Sequence, residues 1–115
     1  MTNHYNKLIR DNIPDIAEKR GKRLVARRVQ TDQEYWAKLK EKFQEEINEF
    51  GESQNMDTLV DILEVLDAII EFKKFDVKEL RALKENKRLE FGRFDKRIIL
   101  EASDEELGHP LDDLI

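Results

Sequence analysis

The chain has 115 residues and no cysteine, with 41% charged residues, 39% hydrophobic residues and a net charge of −5. This length fits one domain with a modest core, and the lack of cysteine excludes disulfides, zinc–thiolate sites and thiol catalysis. The acidic balance gives no support for general nucleic-acid binding, and we expect neither a membrane span nor a signal peptide. We therefore predict one cytoplasmic domain over residues 1–115, with a peripheral acidic tail over residues 103–115.

The first part of the chain combines a short helix with a candidate strand. In residues 5–20 the apolar side chains favour a helical turn or two around Pro14. Residues 23–29, RLVARRV, alternate loosely in polarity and contain two valines, so we predict a short strand there. Thr31 or Asp32 then has the side chain of an N-cap and marks the start of the next helix.

Three longer helices are predicted over residues 33–52, 57–72 and 77–90. The second is apolar around so much of its surface that it should lie centrally or at a subunit interface. Residues 97–101, RIILE, favour a second strand that pairs with the first. The predicted fold class is mainly α, a helical hairpin bundle with a small two-stranded β element. Two such hairpins would form a four-helix core, so we expect a homodimer or a higher homo-oligomer.

Carboxylates recur at three-residue spacing on the first two long helices. The first helix carries Glu46 and Glu49, and the second carries Asp61, Glu64 and Asp67. A step of three residues puts two side chains on the same helix face, so an antiparallel helix pair aims several carboxylates at one point. At that distance bare carboxylates repel one another unless a cation lies among them. Mg²⁺ or Mn²⁺, which prefer oxygen ligands, would fit such a site.

The angular position of each carboxylate separates the candidate ligands. At about 100° per residue, Glu46 and Glu49 flank the apolar stripe of the first helix, whereas Glu45 points nearly opposite to it. On the second helix Thr58 and Asp61 mirror the first pair, and hairpin geometry places residues 60–63, which include Asp61, opposite residues 46–49. Glu64 and Asp67 look more like a paired motif in the sequence, although the helical wheel prefers Asp61 over Asp67. Two registers, meaning two sets of candidate ligands on this helix, therefore stay open: Asp61 with position 58, or Asp67 with Glu64.

Three blocks of this sequence resemble one family of nucleotide hydrolases. EEINE at residues 45–49, followed by an Asp-bearing second helix, is similar to the EExxE…ExxD motif of the all-α nucleoside triphosphate pyrophosphohydrolases, the MazG-like superfamily. YNKLIRDNIP at residues 5–14 is similar to the YNKLVRDKIP opening of its house-cleaning branch, also described as phosphoribosyl-ATP pyrophosphohydrolase-like. GRFDKRIILE at residues 92–101 resembles the GFxKRIxLE block of that branch, with one residue inserted after the glycine.

The resemblance implies Mg²⁺-dependent hydrolysis of a standard or modified nucleoside triphosphate to the monophosphate and pyrophosphate. It assigns Glu46, Glu49 and Asp61 as metal ligands and places Thr58 where the family usually has a glutamate. A neutral hydroxyl is a poorer ligand than a carboxylate, so either Glu64 supplies the missing carboxylate, or the site holds fewer metal ions, or the activity is weak. In the alternative register Glu64 pairs with the aspartate three residues later.

The proton acceptor and the phosphate contacts are expected among residues close to the metal ligands. A carboxylate not fully used on the metal, Glu45 or Glu64, would take the proton of the attacking water. Basic side chains would hold the phosphate oxygens that the metal does not reach. The candidates for this role are Lys7, Arg10, Lys87, Lys96 and Arg97.

Other hypotheses for the function stay open. One is an activity on a related substrate such as phosphoribosyl-ATP, which a substrate panel would separate. Another is a weakened nucleotide-binding or interaction module, for which Thr58 is the argument. A purely structural helical bundle would show no Mg²⁺-dependent shift in melting temperature.

Overall fold

The computed structural model describes residues 4–103 of the chain. The predicted mainly-α class is confirmed, since every regular element in these residues is a helix, and none of the helices is long and apolar enough to cross a membrane. The chain divides into two compact units, Met1–Lys74 and Phe75–Ile115, and the prediction of one domain stays a prediction. The helices among the described residues are α1 (Ile13–Lys19), α2 (Asp32–Ser53) and α3 (Met56–Lys73) in the first unit, and α4 (Val77–Phe91) in the second.

The short helix α1 has a proline in its first turn and ends in a Schellman motif. Pro14 lies in the first turn, where its missing N–H needs no partner. At the other end the Lys22 N–H donates to the Ala17 carbonyl at 2.9 Å. The Gly21 N–H donates to the Glu18 carbonyl at 3.0 Å, and Gly21 takes a φ of +71°, which costs glycine little. The predicted helical turns around Pro14 are confirmed.

Helices α2 and α3 form a hairpin with a two-residue turn. After Ser53, Gln54 takes a left-handed conformation with φ of 54° and its N–H still donates to the last turn of α2. Asn55 then caps α3, because its Oδ1 accepts from the Thr58 N–H at 3.0 Å. Both helices extend one residue beyond their predicted ends, and the turn lies where the polar residues 53–55 indicated it.

The hairpin is held together by apolar and aromatic contacts between its two helices. Leu39 on α2 is the most buried side chain at 2% exposure, and Val65 on α3 is also buried. Towards the open end of the hairpin, Tyr35 meets Phe72 edge to face with ring centroids 5.1 Å apart. Trp36 stacks on the same ring at 6.2 Å. Contacts between the start of α2 and the end of α3 require an antiparallel pair.

One apolar face of α3 is exposed in the single chain. Leu63, at its centre, has 53% of its surface exposed. Within the described residues of the first unit α3 packs on α2 and buries one stripe, so its second apolar stripe has no covering helix there. The exposed apolar residues of α3 are Met56, Leu59, Val60, Leu63 and Leu66.

The second unit contains helix α4 with well-defined ends. Asp76 caps it, since its Oδ1 accepts from the Lys78 N–H at 2.8 Å and from the Glu79 N–H at 3.2 Å. The helix ends before Gly92, which has a φ of +89°. The predicted helix over residues 77–90 is confirmed, and it extends one residue further, to Phe91.

The predicted two-stranded β element is wrong. Within residues 4–103 neither 23–29 nor 97–101 forms a strand. In the first segment Val25 is fully exposed and so lacks the half-buried surface that stabilises strand residues. Arg27 instead makes a bidentate pair with Glu34 in the first turn of α2, at 2.9 and 2.8 Å. The segment is an extended connection fastened to a helix end.

The second predicted strand fails for a backbone reason. Arg97, at its first residue, has a φ of 56°, which interrupts an extended run. Its N–H donates to the Phe94 carbonyl at 3.1 Å and closes a turn. Ile98 and Ile99 are exposed, so the apolar run has no partner face among the described residues. The predicted peripheral tail lies outside the described residues, apart from Ser103.

Candidate functional site

An irregular N-terminal segment, residues 5–12, is tied to both helices of the hairpin. Lys7 Nζ lies 2.7 Å from Glu45 Oε1 on α2. Arg10 Nη2 lies 2.7 Å from Asp61 Oδ1 on α3. The two candidate phosphate-binding cations of this segment therefore lie against the two helices that carry the candidate metal ligands.

Glu46 is the most buried acidic residue among residues 4–103. It has 5% of its surface exposed and is the buried charged residue of the described chain. Its Oε1 lies 3.3 Å from Lys42 Nζ, but its buried Oε2 has no hydrogen-bond partner. Burial raises the pKa of Glu46, Lys42 lowers it, and the charges of Glu49 and Asp61 raise it further. A buried acceptor without a partner costs about 1–3 kcal/mol, so this oxygen is suited to a cation or a proton.

The neighbouring Glu45 has the opposite electrostatic environment. The hydrogen bond from Lys7 lowers the pKa of Glu45, partly opposed by desolvation, and Lys42 lowers it further from 3.5 Å. Lys42 thus bridges Glu45 and Glu46 across one helical turn. The pKa values of two adjacent carboxyl groups are therefore shifted in opposite directions, because Glu45 has two lysines beside it and Glu46 is buried with only one.

The candidate metal ligands of α3, Asp61, Glu64 and Asp67, differ in their surroundings. Asp61 lies close enough to Glu46 to raise its pKa, and it accepts the hydrogen bond that raises the pKa of Arg10. Glu64, one turn later and exposed, adds its charge to the field at Arg10. Asp67 lies two turns beyond Asp61 and is exposed. We call the carboxylates that act on one another or on these cations the acidic cluster: Glu45, Glu46, Glu49, Asp61 and Glu64.

Thr58 belongs to the turn of the hairpin. Its hydroxyl oxygen lies 2.6 Å from Ser53 Oγ, and it donates to the Asn55 carbonyl at 3.0 Å. The hydroxyl therefore links the last residue of α2 to the cap of α3. A shallow cavity of about 420 Å³ opens at this turn, with Glu49 and Thr58 in its lining. It gives the exposed side of Glu49 access to a small ligand.

The acidic cluster fits a hard divalent cation by its chemistry. Carboxylate oxygens are the ligands that Mg²⁺ and Mn²⁺ prefer, and Glu46 Oε2 is a buried acceptor that still needs a partner. As the side chains lie, no three acidic or histidine residues within residues 4–103 are grouped closely enough to hold one metal ion. Lys7 and Arg10 occupy two of the carboxylates instead. Binding a cation would require Asp61 to exchange its present partner.

The remaining candidate cations belong to the second unit. Lys87 lies on α4, and Lys96 and Arg97 follow it in an irregular segment; all three are exposed. This segment lines an open cavity of about 420 Å³ of its own, between Phe91 and Ile98. A role for these residues at the acidic cluster stays a prediction.

Two lysines of the site were not found from the sequence. Lys42 lies three and four residues before Glu45 and Glu46, a spacing that brings opposite charges together on a helix and could have identified it. Lys38 donates to the Asn6 carbonyl at 2.7 Å and holds the backbone of the N-terminal segment. This second contact joins residues distant in the chain, so no local pattern indicates it.

Comparison of the chain with protein-family models, with curated proteins and with solved structures finds no match. The grounds for a function are therefore the contacts and charges of the acidic cluster, together with the three sequence blocks. Of these blocks, the N-terminal one supplies Lys7 and Arg10 to carboxylates of the hairpin.

Proposed function

We propose that this protein is a divalent-cation-dependent nucleoside triphosphate pyrophosphohydrolase, which releases the monophosphate and pyrophosphate. The observation that carries the proposal is the buried, unpartnered oxygen of Glu46 beside Glu49 and Asp61. Lys7 and Arg10 supply positive charge at the same place. The similarity of the three sequence blocks to the MazG-like superfamily, and to its house-cleaning branch, supports the same activity.

The charge of the substrate explains why an acidic site needs a cation. A triphosphate carries several negative charges, and carboxylates at short range repel it strongly in a partly buried site. Mg²⁺ or Mn²⁺ would supply neutralisation of the phosphate oxygens and a lower pKa for the attacking water. Glu46, Glu49 and Asp61 would hold it, and Glu64 is the candidate for a fourth carboxylate because Thr58 is engaged in the turn.

The side chains of this protein divide the remaining work. Glu45 is proposed to accept the proton of water once Lys7, whose hydrogen bond lowers the pKa of Glu45 and weakens it as a base, has moved to a phosphate oxygen; Glu64 is the alternative acceptor. The ammonium group of Lys7 and the forked guanidinium group of Arg10 would bind phosphate oxygens. Lys42 holds Glu45 and Glu46 in place. Lys87, Lys96 and Arg97 are proposed as further phosphate contacts.

A second copy of the chain is the proposed cover for the exposed face of α3. This face is apolar along most of the helix, with Leu63 half exposed at its centre. Two hairpins joined through α3 would bury it and form a four-helix core. We therefore propose a homodimer.

Pyrophosphate release tests the proposed activity. The purified protein is assayed with Mg²⁺ and, separately, Mn²⁺ against standard and modified (d)NTPs and phosphoribosyl-ATP. Glu46→Gln keeps the size of the side chain but removes its charge, and we expect pyrophosphate release to fall by at least about 10–100-fold, as when metal-site residues are lost. Glu71→Gln, a matched change at the exposed end of α3, should leave the rate unchanged.

Three outcomes would contradict the proposal or redirect it. No pyrophosphate from any of these substrates would contradict a pyrophosphohydrolase. Nucleotide binding without hydrolysis would favour the weakened binding module. Release from phosphoribosyl-ATP alone would move the assignment to that substrate.

A further inference from the structure

The N-terminal segment, residues 5–12, is irregular, yet several polar contacts hold it on the hairpin. It is fastened at three polar points: Lys7 to Glu45, Arg10 to Asp61, and the Asn6 carbonyl to a lysine of α2. Its apolar side chains contribute less, since Tyr5 and Ile9 are exposed and Leu8 is only half buried. Charge, more than apolar burial, holds the segment on the hairpin.

The acidic cluster depends on this segment for its charge balance. Five carboxylates face three cations, and two of those cations, Lys7 and Arg10, come from the segment. The third, Lys42, is fixed on α2. Two negative charges are left uncompensated, and one divalent cation would neutralise them. Without the segment, four negative charges would be uncompensated.

The ion pairs that hold the segment are exchangeable. The Lys7 and Arg10 side chains are 39% and 52% exposed, and their partners are also partly exposed. Exposed pairs of this kind contribute little to stability and weaken with salt. A divalent cation on the carboxylates, or phosphate oxygens on the two basic groups, would form stronger interactions than these pairs.

We propose that residues 5–12 form a strap that controls the order of binding at the acidic cluster. In the free protein Lys7 and Arg10 act as built-in counter-cations: Arg10 competes with a divalent cation for Asp61, and Lys7 neutralises Glu45 beside the metal ligands. When a polyphosphate enters with the cation, the two basic groups exchange the carboxylates for phosphate oxygens. The site therefore takes the metal–polyphosphate complex in preference to the free metal ion. This inference rests on the proposed function, whose metal and substrate it uses.

Mn²⁺ binding in the absence of nucleotide is the first test. The full chain is compared with the double variant Lys7→Gln/Arg10→Gln by calorimetry. Removal of these two cations should tighten Mn²⁺ binding by about tenfold, which corresponds to about 1.4 kcal/mol. The control Lys19→Gln/Arg23→Gln removes two exposed positive charges of the same unit outside the strap and should change the affinity little. Equal or weaker Mn²⁺ binding by the strap variant, or no binding by either protein, overturns the proposal.

The same variant should respond in the opposite direction to a polyphosphate. With a non-hydrolysable α,β-methylene nucleotide and Mn²⁺ present, the strap variant should bind the nucleotide less tightly than the unmodified chain does. A simple loss of structure would weaken binding of both ligands. A general loss of positive charge would tighten Mn²⁺ binding and weaken nucleotide binding in the Lys19→Gln/Arg23→Gln control as well, so the control must show neither change. Weaker binding of both Mn²⁺ and nucleotide therefore overturns the proposal.

The mobility of the strap gives a readout that needs no ligand. Backbone ¹⁵N relaxation should show residues 5–12 ordered in the metal-free protein at low salt, and mobile in the strap variant or at about 1 M salt, where screening acts over about 3 Å. Unchanged relaxation in the variant would contradict the strap. If Mn²⁺ affinity rises in the variant while no nucleotide is hydrolysed, the strap stands and the enzymatic proposal fails. If pyrophosphate is released and the Mn²⁺ affinity is unchanged, the reverse holds.

Discussion

Glu45 and Glu46 are adjacent in sequence and have opposite pKa shifts. Lys7 lowers the pKa of Glu45, while burial raises that of Glu46. The helical periodicity of α2 places Glu46 on the flank of the apolar stripe, so its proximity to the hairpin could be predicted. The ion pairs could not, because they join residues 38 and 51 positions apart and depend on the path of the strap.

The ion pair between Arg27 and Glu34 at the start of α2 should make the stability of the fold depend on pH in acid. Arg27 lowers the pKa of Glu34 to about 2, assisted by the Gln30 N–H that donates to the same carboxylate at 2.9 Å. A carboxyl whose pKa is lower in the folded than in the unfolded protein binds fewer protons when folded. Its stabilising effect is present above its unfolded value and is lost as the pH falls towards about 2.

The Glu34→Gln variant tests this effect. Unfolding of both proteins is followed by circular dichroism from neutral pH down to about pH 2. The unmodified chain should be the more stable at neutral pH, and the difference should shrink on acidification because protonation removes the pair. A constant difference across this range would show that the ion pair does not contribute to folding.

At the scale of the elements, helix ends were predictable and strands were not. Thr31, Asn55 and Asp76 form local caps with N–H groups two or three residues later, so their sequence pattern is sufficient. A strand depends on a partner that is distant in the chain. The loose alternation of residues 23–29 lacked such a partner among the described residues, and Arg27 found Glu34 instead.

The turn between α2 and α3 gives a prediction at this scale. Thr58→Ala should destabilise the hairpin by about 1 kcal/mol, because it removes the hydroxyl that bridges Ser53 and Asn55. Chemical denaturation measures the change. Ser53→Ala and the double variant complete a cycle, in which the two substitutions should cost less together than their separate costs added. Strict additivity would contradict a Ser53–Thr58 interaction.

The substitution Thr58→Glu tests whether Thr58 weakens the metal site, but it also changes the turn between α2 and α3. A glutamate at this position would supply a carboxylate where the family that the sequence resembles usually has one, but it would also remove the hydroxyl contacts of the turn. A gain in hydrolysis would have to appear despite lower stability. Activity and unfolding must therefore be measured on the same variant, and a gain in rate would show that Thr58 weakens the site.

At the scale of the whole molecule, the exposed face of α3 predicts self-association. Light scattering coupled to size exclusion should give twice the chain mass for the unmodified protein. Leu63→Lys places a charge in the proposed four-helix core and should produce the monomer. The matched change Leu83→Lys, on α4 at a similarly exposed leucine, should leave the mass unchanged. A monomeric unmodified protein would contradict the homodimer.

The central claim is that the acidic cluster serves cleavage between the α- and β-phosphates of a nucleoside triphosphate. Phosphorus NMR of the reaction with Mg²⁺ identifies the products directly. The expected result is equal amounts of nucleoside monophosphate and pyrophosphate, formed by the unmodified chain and lost in Glu46→Gln. Nucleoside diphosphate with orthophosphate, or an unchanged product pattern in Glu46→Gln, would contradict it.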